Sequence, residues 1–268
     1  MCRPEDEQVI EALPLPSRER GGKKRRGLGS DAKETWESPY EYLRPFVFFL
    51  STVLLYLGLP LFGWGFDNLR GFFSLAPRLG YALSVMLFAA AVGAQAFSGT
   101  EGIRGGKGEE SKWNRRESIV RVMLVLGLYL AIPPLPFADR RGIAVIAEGS
   151  ALRWLGVGLG ALGYALIFWS GLALGRQHSA EVTIQKDHRL ITAGPYMWIR
   201  HPRYLGVVVL TIGLSLAFRS WIGLAAALLV FGVLLFRIHD EEALLHREFG
   251  EEWERYAQNS WRMMLGIF

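Results

Sequence analysis

Two stretches of this chain carry residue types and spacings suited to chemistry. The first reads Gly175-Arg176-Gln177-His178, then His188-Arg189-Leu190-Ile191-Thr192. It continues as Gly194-Pro195-Tyr196-Met197-Trp198-Ile199-Arg200-His201-Pro202-Arg203-Tyr204-Leu205-Gly206. Pro195 and Pro202 confine the residues before them to extended conformations. A segment held that way can wrap a ligand while offering backbone groups that a helix would have consumed. Its aromatic rings suit stacking on a planar base. The second stretch reads Arg237-Ile238-His239-Asp240-Glu241-Glu242-Ala243-Leu244-Leu245, then Phe249-Gly250-Glu251-Glu252-Trp253-Glu254-Arg255-Tyr256. Arg237 and Glu241 are spaced i, i+4 and share a helix face. Such a face sets a cation for an acid beside a carboxylate for an ammonium; a solvated helix face is the plainer reading of the same charges.

Apolar blocks flank both stretches and must position them. Residues 45–65, 79–97 and 154–174 carry no charge, and 119–137 carries only Arg121. Each is close to the roughly 20 residues that a helix needs to cross a hydrocarbon core about 30 Å thick. Two shorter blocks, 205–218 and 221–236, are separated only by Arg219 and Ser220 and predict a tight helical hairpin. Helices alone satisfy every backbone group in lipid at these lengths. The expectation is an all-α polytopic membrane protein. It has about six transmembrane helices, the short hairpin among them, and a cytoplasmic C-terminal helix. The predicted organisation is a disordered basic tail over 1–44, four transmembrane helices within 45–174, and a core with the hairpin and C-terminal helix over 175–268. With six spans, one side holds 24 of the 30 Lys and Arg residues. The other holds Arg70, Arg78, Arg140, Arg141, Arg153 and Arg219. That asymmetry predicts cytoplasmic termini and a cytoplasmic connector before Pro202. Cytoplasmic leaflets are negative, so the run Asp240-Glu241-Glu242 at that surface calls for a specific purpose.

Composition narrows the alternatives. Of 268 residues, 51% are hydrophobic and 21% charged, and the single cysteine excludes a disulfide scaffold or a multi-cysteine metal site. Gly158, Gly160 and Gly163 spell GxGxxG, but inside an uncharged block, where close helix packing through Gly156 and Gly160 is the better reading than a dinucleotide fold. The loop containing Gly105-Gly106-Lys107 lacks the spacing of a phosphate-binding loop. His178, His188, His201, His239 and His246 show no metal-ligand spacing with a carboxylate partner. Neither a metal site nor a nucleic-acid partner is expected.

The run from His188 to Gly206, followed after the hairpin by Glu241-Glu242 and by Phe249 to Tyr256, resembles the isoprenylcysteine carboxyl methyltransferase family and its phospholipid methyltransferase relatives. The resemblance covers a little over a third of the chain. It implies S-adenosylmethionine (SAM) bound at the cytoplasmic face without a Rossmann domain. By that resemblance His188, Arg189, Leu190, Ile191, Gly194 and Tyr196 line the adenosine side. His201, Pro202 and Tyr204 sit against the cofactor. Glu241, helped by Glu242, takes the methionine ammonium, and Arg237 and Arg176 face the acceptor. A carboxylate acceptor needs only an orienting cation. A thiol or amine needs a proton acceptor, with His201 or a glutamate the first candidates. The expected partners are membrane lipids and a lipophilic or small-molecule acceptor: an isoprenylcysteine-like carboxylate, a phospholipid amine or a thiol. Two other classes stand beside this one. A membrane sterol reductase-like enzyme would use NADPH with a similar His-Pro-x-Tyr segment. A non-enzymatic transport or binding protein is disfavoured by spans almost free of interior charge.

Overall fold

The computed structural model describes residues 40–97, 122, 127, 129, 131–147, 149–175 and 190–263. Of the predicted tail 1–44, all but the last few residues fall outside that set.

The first apolar block forms α1 (Tyr40–Val53), a π turn (Leu54–Gly58) and α2 (Leu59–Trp64) in one continuous run. The π turn has a local cause. Pro60 has no N–H to give the carbonyl of Tyr56, four residues back, and the Tyr81 hydroxyl donates to that carbonyl instead. A short helix, α3 (Leu69–Phe73), is capped by the Asn68 side chain, which accepts from the Gly71 N–H at 3.0 Å. The second block forms α4 (Ala76–Phe97). Part of 119–137 lies outside the described residues, and its end differs from expectation. Ile132 and Pro133 turn, and a separate helix, α5 (Pro134–Arg141), begins there. The consecutive prolines supply no N–H to carry the preceding helix onward.

The fourth block forms α6 (Ser150–Leu174), and the hairpin is present as α7 (Pro202–Ala217) and α8 (Trp221–Phe249). Its second arm is longer than the apolar block alone predicts. The helix runs without a break past Phe236, so Arg237, Glu241 and Glu242 ride on the hairpin itself. Only α9 (Glu251–Gln258) is a separate C-terminal helix. No strand occurs among the described residues. Four of their helical stretches, Tyr42–Trp64, Ala76–Phe97, Ser150–Leu174 and Trp221–Phe249, are long and apolar enough to cross a membrane, and α7 is a shorter apolar helix. Leu87, Leu229 and Phe236 are 73%, 72% and 78% exposed, a load of bare apolar surface that suits lipid and not water. The chain is a multi-pass integral membrane protein.

The glycine pattern does serve packing. A Cβ on Gly213 of α7 would strike the backbone N of Gly160 on α6 and lie 2.8 Å from the Gly156 carbonyl oxygen. One on Gly163 would lie 2.7 Å from the Leu210 N and 2.8 Å from the Gly206 carbonyl. The α6 and α7 backbones therefore touch, as small-residue interfaces in lipid allow. Gly158 faces open space. Gly213→Ala is expected to lower stability by about 1–3 kcal/mol, because rigid backbone, not a flexible side chain, must yield. Gly158→Ala should be neutral or slightly stabilising, since alanine is the better helix former by up to about 1 kcal/mol. Thermal melting of the two variants in detergent checks this; equal melting temperatures would contradict the contact.

At the end of α7 away from Pro202 lies a buried charge cluster. Asp139, 5% exposed, accepts from Arg78 Nη2 at 2.8 Å and from Arg153 Nη1 at 2.8 Å and Nη2 at 2.7 Å. Arg219 Nε and Nη2 reach it at 3.1 and 2.9 Å. One carboxylate thus ties α4, α5, α6 and the hairpin turn together. Burial pushes its carboxyl up, but hydrogen bonds from Arg153 and Arg78 outweigh that and hold it below the ordinary carboxylate range.

Candidate functional site

The opposite end of α7 is built from three pieces: the connector 190–201, the polar half of α8, and the segment after α9. The connector is non-helical at 190–193 and then makes a short 3₁₀ turn, Gly194–Met197. Gly194 takes φ +62, and a Cβ there would lie 3.1 Å from that of Ala173, so the connector folds tightly against the end of α6. Trp169 of α6 and Trp198 pair at 6.2 Å; both are about half exposed, as suits aromatic rings at a membrane interface. Pro202 opens α7, where its missing N–H is no loss. His201 precedes it in a non-helical conformation and is buried. One turn on, Tyr204 lays its ring parallel to the His201 imidazole, with centroids 5.5 Å apart and planes 9° apart.

The Tyr204 hydroxyl joins the two charges of the α8 face. It donates to Glu241 Oε2 at 2.8 Å and accepts from Arg237 Nε at 2.8 Å. The i, i+4 pair therefore acts through a tyrosine from the neighbouring helix. Glu242 has different company. Its Oε1 accepts from Arg200 Nε at 3.0 Å and lies 3.3 Å from His201 Nε2, while Oε2 is 2.7 Å from Arg262 Nη2.

The segment after α9 closes the arrangement. Ile199 and Trp261 form a parallel bridge, with Arg200 N donating to the Trp261 carbonyl at 2.7 Å and Trp261 N to the Trp198 carbonyl at 2.8 Å. His201 N donates to the Arg262 carbonyl at 3.1 Å. Arg200 Nη1 donates to the Ala257 carbonyl at 2.6 Å and to that of Ser260. The Tyr256 hydroxyl donates to the Tyr196 carbonyl at 2.8 Å. Burial pushes the Tyr256 hydroxyl up to about 12 and that of Tyr196 beyond the usual tyrosine range, so both stay protonated at neutral pH.

Of the residues singled out from sequence, Gly194, Tyr196, His201, Pro202, Tyr204, Arg237, Glu241 and Glu242 come together at this end of the hairpin, and Leu190 and Ile191 enter it along the connector. Arg176, His188 and Arg189 lie outside the described residues. Sequence reasoning passed over Arg200 and Arg262. Arg200 lies within the run from His188 to Gly206, but nothing in its spacing announces Glu242 as its partner. Arg262 lies in a segment with no motif.

The arrangement places an acceptor-only carboxylate, Glu241, beside stacked aromatic rings and extended backbone, with an arginine one turn away. It can take an ammonium, a flat ring and an acid on one patch. Residues 156–247 match the isoprenylcysteine carboxyl methyltransferase (ICMT) family. That segment holds α6, the connector, the hairpin and the acidic pair, so the resemblance seen in the motifs is borne out over them. The chain is 35% identical over 74 residues to the protein-S-isoprenylcysteine O-methyltransferase of Schizosaccharomyces pombe, covering 27% of this chain and 31% of that one. It is 28% identical over 125 residues to a probable protein-S-isoprenylcysteine O-methyltransferase of Oryza sativa subsp. indica (46% and 58%). It is 39% identical over 72 residues to the Homo sapiens protein-S-isoprenylcysteine O-methyltransferase (26% and 25%). The chain thus spans between a quarter and just over half of the length of these ICMT relatives. A solved structure of the eukaryotic intramembrane Ras methyltransferase ICMT aligns with TM-score 0.43 and 20% identity over 84% of this chain and 86% of that one.

Proposed function

We propose that the chain is an integral-membrane SAM-dependent methyltransferase whose acceptor is the carboxylate of a lipophilic, isoprenylcysteine-like molecule. The observation that carries this reading is the Arg237–Tyr204–Glu241 relay beside the stacked His201 ring, inside the segment that matches the family. The residues fit the donor. Glu241 offers a carboxylate to the methionine ammonium. His201 and Tyr204 offer flat faces, and residues 190–193 offer backbone groups to the adenosine. When bound, SAM supplies a methyl group already activated by the sulfonium.

The protein's task is then mainly to hold the three reacting atoms in line. Arg237 would orient the acceptor carboxylate toward the methyl carbon that SAM would supply, with the carbon–sulfur electron pair left on sulfur. No proton moves, so no general base is required. Tyr204 keeps Arg237 and Glu241 at a fixed separation, and so keeps acceptor and donor in register.

The family match favours methyl transfer over the NADPH-reductase reading. S-adenosylhomocysteine should raise the melting temperature of the purified protein and NADPH should not; the reverse result would replace the reading. Arg237→Lys should cut the initial rate several-fold while leaving donor affinity within about twofold, because lysine lacks the guanidinium fork that pairs with a carboxylate. Full activity in the lysine variant would make Arg237 a mere membrane-surface anchor.

The site is assigned to the cytoplasmic side. Of the six arginines on the other side, Arg78, Arg153 and Arg219 are engaged by Asp139 and Arg140 by Asp67, whose carboxyl the Arg140 hydrogen bonds hold down at about 2. The excess of Lys and Arg, 24 against those six, lies with the connector, the 98–121 loop and the termini. In a Cys2→Ser background, Thr192→Cys in sealed cells should resist an impermeant thiol reagent and Ile143→Cys should react. The opposite pattern would invert the topology.

A further inference from the structure

Both oxygens of Glu242 are engaged by this protein's own cations, which sets it apart from Glu241. We propose that Arg262 is a positioning residue of the donor pocket, acting through Glu242 to hold the His201 imidazole with its proton on Nε2. This rests on the donor-pocket reading above.

Among the described residues, the charged and titratable groups near His201 come from α7, α8, the connector and the segment after α9. Glu242, and Glu241 and Arg237 through Tyr204, come from α8; Tyr204 comes from α7; Arg200 comes from the connector; and Arg262 comes from the C-terminal segment. Glu242 is an acceptor only, so its contact with His201 at 3.3 Å requires the proton on Nε2 and leaves Nδ1 as the acceptor of the neutral ring. Arg200 shares that same Oε1. Arg262 alone, among the contacts described, holds Oε2, at 2.7 Å, and so fixes the rotation of the carboxylate.

Arg262 can act this way because its place is set independently. Its carbonyl accepts from His201 N, and its neighbour Met263, 1% exposed, is packed among Val208, Val230, Leu234 and Ile238. Residues 261–263 are therefore packed against the site, beside the connector and α8. The consequence for function is a histidine that presents an acceptor nitrogen next to the donor, suited to a ligand N–H and, with a thiol or amine acceptor, to a proton.

The test uses the full chain labelled with ¹⁵N-histidine, with the His201 signals assigned by His201→Gln. Wild type and Arg262→Lys should show the Nε2-protonated tautomer, since one cation in contact with Oε2 suffices. Arg262→Ala and Arg262→Gln should show mixed tautomers and about tenfold weaker S-adenosylhomocysteine binding. Met263 and the backbone bridge should keep the variants folded, and the glutamine variant serves if the alanine one does not fold. A wild-type proton on Nδ1, or neutral variants with wild-type tautomer and affinity, would overturn the assignment. The tautomer arm needs no ligand. A wild type that shows the Nε2 tautomer yet binds no S-adenosylhomocysteine would count against the proposed function and leave the Arg262–Glu242–His201 geometry standing.

Discussion

Glu241→Ala should lose SAM affinity by a factor of ten or more while melting close to wild type. A hydrogen bond to a charged group contributes roughly 1.5–3 kcal/mol, and in the proposed complex the Glu241 carboxylate is the counter-ion of the methionine ammonium. The fold depends little on it. Its contact partner is Tyr204 at 2.8 Å, and Tyr204 keeps its bond from Arg237 and its stack on His201 when the carboxylate goes. Glu242→Ala makes the contrast. It removes the shared partner of Arg200, His201 and Arg262, and should lower melting temperature as well as binding. Isothermal titration with S-adenosylhomocysteine, paired with melting curves, separates the two acids. If Glu241→Ala binds as wild type does, the ammonium site lies elsewhere.

The second large effect lies at the other end of the hairpin. Asp139→Asn should destabilise the protein by about 3–5 kcal/mol, the usual cost of removing one partner from a buried ionic group. Arg78, Arg153 and Arg219 are each under 10% exposed, and all three lean on that one carboxylate. Arg219 also holds the hairpin turn in a left-handed conformation at φ +49, so the loss reaches the α7–α8 geometry on which the site depends. Because the Asp139 carboxyl is held below its unfolded value, its contribution is complete above about pH 4. It is lost only as pH falls through the lowered folded value. No fall in stability from this cluster is therefore expected between pH 5 and 8. Asp67→Asn, at the far more exposed pair with Arg140, should leave the melting temperature close to wild type. Similar melting temperatures for the two asparagine variants would contradict the distinction between them.

Much of the architecture was legible because apolar length and local turn chemistry decide it. Arg219-Ser220 between two apolar blocks marked the hairpin, and Ser220 caps α8 by accepting from Gly223 N at 3.1 Å. The glycines of α6 announced a close helix contact. The course of α8 past Phe236 was less clear, since apolar content falls there while helical propensity does not. The ionic ties were not legible. Asp139 meets partners 61, 14 and 80 residues away in sequence, and Arg200 and Glu242 are 42 apart. Pairing at such distances is fixed by helix packing, not by any local pattern. Arg237 and Glu241 were placed correctly on one face, but the tyrosine that joins them belongs to α7 and could be found only once the hairpin had closed.

The most direct test of methyl transfer is incorporation from methyl-labelled SAM by the purified protein in liposomes. It is run against an S-prenylated cysteine, a phospholipid with a free amine and a panel of thiols. A base-labile methyl ester is expected on the prenylated cysteine, strongly reduced in Glu241→Ala and in Arg237→Lys. Label on the amine or the thiol would contradict the carboxylate acceptor, and no incorporation into any of the three would contradict the methyltransferase itself.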